Sequence, residues 1–284
     1  MQIDFERDFL DFVLAELSKL GVQPRTQDRS QCALLLLKLY RRIPPERPRV
    51  VRKALTFNAP DELKGGFDNL CKAIEKGEPL IPYLSRSTLV EERHDALLDD
   101  WGILHFHLGS NLMPDGLIER TEVVAFGIVR EDCVYFLDTH PHGPTHPYTW
   151  VREHLVHAIE ENWPELLPPS LKNLTPDALS PAQRKNLRNK KVNVTVTNRS
   201  GDAIFPPGGG FMSNGTAMSD FLQLQKIYRQ LDWAKAMCES NEQGIRDALK
   251  LGEDDFTIHV GFSERQLFLY EPVSGIQVEF AVPE

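Results

Sequence analysis

The apolar residues of this chain change their spacing near His94, and that change limits the folds open to it. Before it, Phe5, Phe9, Phe12, Val13, Leu17 and Leu20 recur at three- and four-residue intervals, which puts them on one face of a helix ended by Gly21. A second helix is expected from Asp28 to Arg42, broken by Ile43 to Pro48 (IPPERP). A third is expected from about Asp61 to Lys76, bent or interrupted at Gly65-Gly66 and stopped at Gly77. After His94 come short alternating runs, Trp101 to Gly109, Glu122 to Val129 and Cys133 to His140, with the two-residue period of strands. Only Arg130 to Asp132 joins the last two, so they are expected to pair as an antiparallel hairpin.

Beyond these runs a helix is expected from about Thr149, its cap, to Asn162, with Pro164 closing it. The proline-rich stretch from Pro164 to Lys185 reads as a wrapping connection, and a helix starts at Ser180 with proline in its first turn. Then follow a strand in KVNVTVTN, a Gly/Pro loop at Pro206 to Gly210, a long helix within Ser219 to Leu251, and three short strands ending in VEFAV. The expectation is an α+β protein in three segments: a mostly helical region 1–93, a small antiparallel sheet plus helix at 94–165, and a connection with an α+β portion at 166–284.

At 284 residues the chain is long enough for one large or two small domains. Lys and Arg number 32 against 41 Asp and Glu, so the net charge is 32 − 41 = −9, which argues against sequence-independent coating of DNA. No apolar run approaches the roughly 18 residues of a membrane span; CALLLL is stopped by Lys38. The amino terminus is acidic where a secretory signal would be basic, so a cytoplasmic protein without a membrane segment is expected. Four scattered cysteines form no CxxC pair, which argues against a disulfide scaffold or zinc ribbon, and Cys133 in a buried strand is expected to be an inert thiol.

The feature to explain is that eight of nine histidines fall between positions 94 and 157. On the first strand run, Leu104, Phe106 and Leu108 form a natural core face, leaving His105 and His107 on the other, about 7 Å apart. On the third, Asp138 and His140 share a face, and the following loop adds His142 and His146. With matching register the set His105, His107, Asp138 and His140 would converge. Two chemistries fit. One is a metal site for zinc or iron on His105, His107, Asp138 and His140, the basis of a metal-dependent hydrolase or oxygenase. The other needs no cofactor: cleavage of a phosphodiester, as in RNA, with imidazoles moving protons and an arginine stabilising the charged phosphate. The plain alternative is polar residues on a half-exposed sheet, and His94, His146, His154, His157 and His259 are read that way.

The order LHFHLG, a loop ending in Glu119-Arg120, VVAFGIV, the RED turn, VYFLDTHPHG and then a helix resembles the core sheet of the RelE/ParE-type toxin superfamily over roughly residues 98 to 149. The resemblance implies a metal-independent ribonuclease. Arg120 would stabilise the phosphate, His140 would be the acid, and His105 or His107 the base.

Basic clusters at Arg41 to Lys53 and at Arg184 to Lys191 are where RNA phosphates would be contacted, and Arg130, His142, Arg184, Lys185 and Arg188 are the substrate-binding candidates. A third class, a non-catalytic protein that uses these clusters and the histidine loop to bind a protein partner, stands beside the two enzymes. The loop Phe205 to Gly215 lacks the GxxxxGK[ST] pattern and reads as a structural turn or a mobile cover, while Ser213 and Ser219 have no GxSxG elbow. Asp99-Asp100 reads as the start of a turn, with a place at the sheet edge near the histidines as the alternative.

Overall fold

A computed structural model describes residues 1–91, 93–248, 255–262, 267–273 and 275–279. In chain order the described elements are β1 (Gln2–Ile3), α1 (Phe5–Lys19), α2 (Arg29–Arg42), β2 (Val50–Lys53), α3 (Lys64–Lys76), α4 (Ala96–Trp101), β3 (Leu104–His107), β4 (Val123–Val129), β5 (Cys133–Pro141), α5 (His154–Asn162), α6 (Pro181–Asn189), β6 (Val196–Thr197), β7 (Ala203–Ile204), α7 (Met218–Ser240), α8 (Glu242–Ala248), β8 (Thr257–Phe262), β9 (Leu267–Tyr270) and β10 (Gln277–Glu279). The fold is α+β. No helix among the described residues is long and apolar enough to cross a membrane.

Two compact units are present, residues 1–37 with 220–284 and residues 38–219. The sequence-based segmentation followed element type, whereas these units follow packing. In the first unit β1 pairs in parallel with β8, which draws the amino terminus to a sheet of order β1-β8-β9-β10. The apolar stripe of α1 lies against that sheet, with the rings of Phe9 and Phe12 at 5.4 and 4.7 Å from Phe262. The expected long helix is α7 followed by α8. Its expected end at Leu251 and the last residues of VEFAV lie outside the described residues.

The second unit holds the histidines. Its sheet has the order β2-β5-β4-β3, with β4 antiparallel to both neighbours, as the short RED turn predicts. The parallel edge strand β2 was not expected; it falls inside the first basic cluster. Both faces of the sheet are covered. Phe67, Leu70, Ala73 and Ile74 of α3 pack on Leu104, Phe106, Leu108, Ala125, Val134 and Phe136. On the other side Trp101 of α4 and Leu155, Val156 and Ile159 of α5 pack on Val124, Phe126, Ile128 and Leu137. Phe106, Phe126 and Phe136 are fully buried, and each stabilises the fold by roughly 1.5–3 kcal/mol. The face opposite Leu104, Phe106 and Leu108 is therefore a second core, not the open groove that alternation on one strand predicts.

A bulge decides which way the third run faces. Phe136 pairs with Gly127 but Asp138 pairs with Phe126, so Leu137 is an extra residue in β5. Strict alternation would put Asp138 and His140 on the α3 side with Val134 and Phe136. The bulge moves them to the α5 side, where they join Val124 and Phe126.

Several local expectations are corrected. α3 starts at Lys64, after a 3₁₀ turn at Asp61–Leu63, so Gly65-Gly66 lie in its first turn rather than inside a longer helix, and Gly66 is a contact point. A Cβ there would stand 1.8 Å from the Leu108 carbonyl oxygen. Trp101 does not open a strand. It ends α4, whose cap is Asp95, with its side chain accepting from the Leu98 N–H at 3.1 Å. Asp99 and Asp100 lie on this buried helix and not in a turn. Thr149 caps no helix; its hydroxyl donates to the Pro141 carbonyl at 2.7 Å, and α5 starts later, at His154. α6 begins as expected, with Ser180 and Gln183 forming a capping box. The glycine-rich loop is a structural turn: Gly208 and Gly210 donate to the carbonyls of Asp100 and Asp99, and a Cβ at Gly208 would meet the Gly102 nitrogen at 2.5 Å.

Candidate functional site

The register places His105 opposite Phe126, itself opposite Asp138, and His107 opposite Val124, itself opposite His140. All four candidate ligands thus share the α5 face, as the matching-register argument required. They do not converge, because β4 lies between them and the Val124 and Phe126 side chains fill the gap. Two separate groups result.

The first group is Asp138, His140 and His154. Asp138 and His140 are two residues apart on β5, beyond the bulge, and His154 is the first residue of α5. Asp138 Oδ2 lies 3.0 Å from His140 Nε2 and 3.3 Å from His154 Nε2, and the two Nε2 atoms are themselves in contact. Among the described residues this is the one group of three or more His, Cys, Asp or Glu whose ligand atoms all fall within 4.8 Å of one another. The side chains keep 16, 26 and 39% exposure for His140, Asp138 and His154, so solvent reaches the cluster. Burial raises the Asp138 carboxyl, but the hydrogen bonds from His140, His154 and the Thr139 N–H outweigh it and hold the carboxyl well below the usual carboxylate range.

The second group is His105, His107, His142 and Trp150. Ring centroids lie 6.1 Å apart for His105 and His107, 5.3 Å for His107 and His142, and 4.8 Å for His105 and Trp150. Trp150 also meets Phe126 at 5.7 Å, and Phe126 meets His140 at 6.0 Å, so an aromatic wall separates the two groups. Neither nitrogen of His107 has a hydrogen-bond partner, nor does Nδ1 of His105. Burial first, then the positive potential of neighbouring groups including Arg120, lowers both imidazoles to about 3. Both rings are therefore neutral near pH 7, which makes them poor proton donors or acceptors for the substrate chemistry expected of them.

At the rim Arg120 is exposed, with its guanidinium 3.5 Å from His142 Nε2, while His142 Nδ1 meets the Glu122 carbonyl at 2.7 Å. His146 faces Glu122 at 3.6 Å. Of the other substrate-binding candidates, Arg130 lies at the opposite end of β4 from His107, about 20 Å along the strand. Arg184 and Arg188 are buried and engaged. Arg184 pairs with Glu153 and donates to the Thr195 carbonyl. Arg188 pairs with Asp100 at 2.5 Å, donates to the Trp150 carbonyl and covers the Trp101 ring. They hold elements together and present no cation to a phosphate. Lys185 lies over the Tyr148 ring at 5.9 Å. The first basic cluster is likewise structural in part: Arg41 pairs with Asp99, Arg47 with Glu131, and buried Arg49 donates to the carbonyls of Arg130, Pro45 and Arg47.

His154 and Trp150 are the residues that sequence reasoning missed. The signal for His154 was its place at the start of a helix following the DTH strand end; the strand periodicity used to group histidines does not reach a helix. Compared with known protein families, curated proteins and solved structures, the chain matches none.

Proposed function

We propose that this protein is a metal-dependent hydrolase whose ion is held by Asp138, His140 and His154. The observation that carries this reading is the convergence of one carboxylate oxygen and two imidazole Nε2 atoms from a strand end and a helix start, partly open to solvent. Two imidazoles and a carboxylate suit zinc or iron(II), and three protein ligands leave room for water and substrate. A bound divalent ion would supply Lewis acidity and a water that ionises near neutral pH. Phe126 limits access to it from the β4 side.

Elemental mass spectrometry on untagged protein tests the reading. Stoichiometric zinc or iron is expected, lost in His154→Ala and Asp138→Asn and kept in His107→Ala. A folded, metal-free protein that takes up neither ion would overturn it, as would metal retention in His154→Ala. Iron in place of zinc would turn the reading to an oxygenase, since this donor set is also that of the non-haem iron(II) oxygenases.

A second reading rests on the Arg120–His142 contact: metal-free cleavage of RNA, as the toxin-like order of elements implies, with Arg120 on the phosphate and His140 as the acid. RNA cleavage that persists in a chelator and fails in Arg120→Ala would favour it.

A further inference from the structure

Beside the edge strand β3, the end of α2 and residues 84–88, 93 and 95 form a small cavity. Arg42, Ser85, Ser87, Thr88, Arg93, Asp95, Leu104 and His105 line it. Arg42 is 3% exposed. Its Nη1 donates to the carbonyls of Thr88 and Val90, both at 3.2 Å, while Nη2 is buried with no hydrogen-bond partner. His105 Nδ1 is also buried without a partner. A guanidinium and an imidazole left short of acceptors in one cavity are costly unless something fills the need.

The charges around the cavity favour an anion. Among the described residues of the lining, Arg42 and Arg93 are cationic and Asp95 is the one carboxylate, its Oδ1 already accepting the Leu98 N–H that caps α4. The remaining polar groups are the hydroxyls of Ser85, Ser87 and Thr88. Ser85 and Ser87 bond each other at 3.0 Å, and either hydroxyl could be the donor. Donors therefore come from three chain segments, the α2 end, the described residues of 85–93 and β3, and a tetrahedral oxyanion carries an acceptor oxygen for each. From these contacts we infer that the cavity is a binding site for a phosphate group, held by Arg42 and Arg93 with His105 Nδ1–H as a further donor. It is distinct from the Asp138, His140 and His154 cluster, so the metal reading is not a premise of this one.

Calorimetric titration of inorganic phosphate into the full chain at low ionic strength tests the site, with phosphoserine as a second arm to separate the free ion from a phosphoryl group on a larger molecule. One-to-one binding of either is expected, weakened at least about tenfold by Arg93→Gln, a surface change, because a hydrogen bond to a charged group is lost. Arg42→Lys should weaken it too, and is interpreted only if its circular dichroism matches the parent. Binding should also shift the His105 imidazole nitrogen resonances. No binding of either compound at millimolar concentration would overturn the inference. So would binding that survives Arg93→Gln but disappears in Arg120→Gln, which would place the anion at the rim instead.

Discussion

Two pairs of histidines lie on one side of one sheet, with β4 between them, and the protein treats them in opposite ways. His140, with His154 brought in by α5, lies beside a carboxylate that both imidazoles bond, within reach of solvent. On the edge strand His105 lies against Trp150 and His107 against His142, with three of their four ring nitrogens lacking any partner. Position on a face therefore says little about what a histidine can do. The difference comes from what stands next to it: Asp138 in one case, rings and arginines in the other.

That contrast depends on the wall between the groups, and the wall depends on Arg188. Its guanidinium holds the Trp150 carbonyl while pairing with Asp100, and both charged groups are almost fully buried. Arg188→Met leaves the Asp100 carboxylate buried without its partner and should cost about 3–5 kcal/mol in urea unfolding. Arg188→Met combined with Asp100→Leu should recover most of that loss, because replacing both charges removes the unpaired one. A single variant within 1 kcal/mol of the parent would show that the pair does not hold the wall.

The fold class, the β4–β5 hairpin and the α6 cap were legible because each follows from local periodicity or capping chemistry. Three things were not. β2 sits in what reads only as a basic cluster, since RVVRK lacks a long alternating run, and it pairs in parallel with β5. The bulge at Leu137 cannot be read from CVYFLDTH, where both alternations look plausible; it is fixed by the packing of Leu137 in the α5-side core. Arg184 and Arg188 belong to a positively charged sequence run, but their partners Glu153 and Asp100 are 31 and 88 positions away. A cluster of like charges in sequence was thus a set of ion pairs in space, and the same long-range closure brought His154 to Asp138.

The two histidine groups should also part in acid. His105 and His107 face each other, Trp150 and His142, with Arg120 and Arg93 acting on His105, and Arg120 and Arg86 on His107. Their folded values near 3 lie below the 6.5 of an unfolded histidine, so the unfolded chain binds more protons between those limits. Stability contributed by their neutral forms is complete above pH 6.5 and is lost as pH falls toward 3. At pH 4 the loss is about 3 kcal/mol per imidazole, from 1.36 kcal/mol per pH unit. His107→Met should make the fall between pH 6.5 and pH 4 shallower by that amount, measured as urea midpoints at each pH. An unchanged slope would mean that water reaches His107 and that its proton is taken up in the folded state.

The same variant gives the smallest effect at pH 7, and there its sign is the informative part. A histidine with two unpartnered nitrogens at 2% exposure carries an uncompensated desolvation cost. Methionine is of similar length, has no strong donor or acceptor to leave unsatisfied, and packs well against rings such as His142. His107→Met should therefore match the parent or exceed its stability by up to about 1 kcal/mol, seen as a small rise in Tm. If instead it loses 2 kcal/mol or more, the imidazole nitrogens have partners in solution, such as an enclosed water, and His107 belongs with the bonded histidines across β4. The contrast between the two groups would then come down to Asp138 alone.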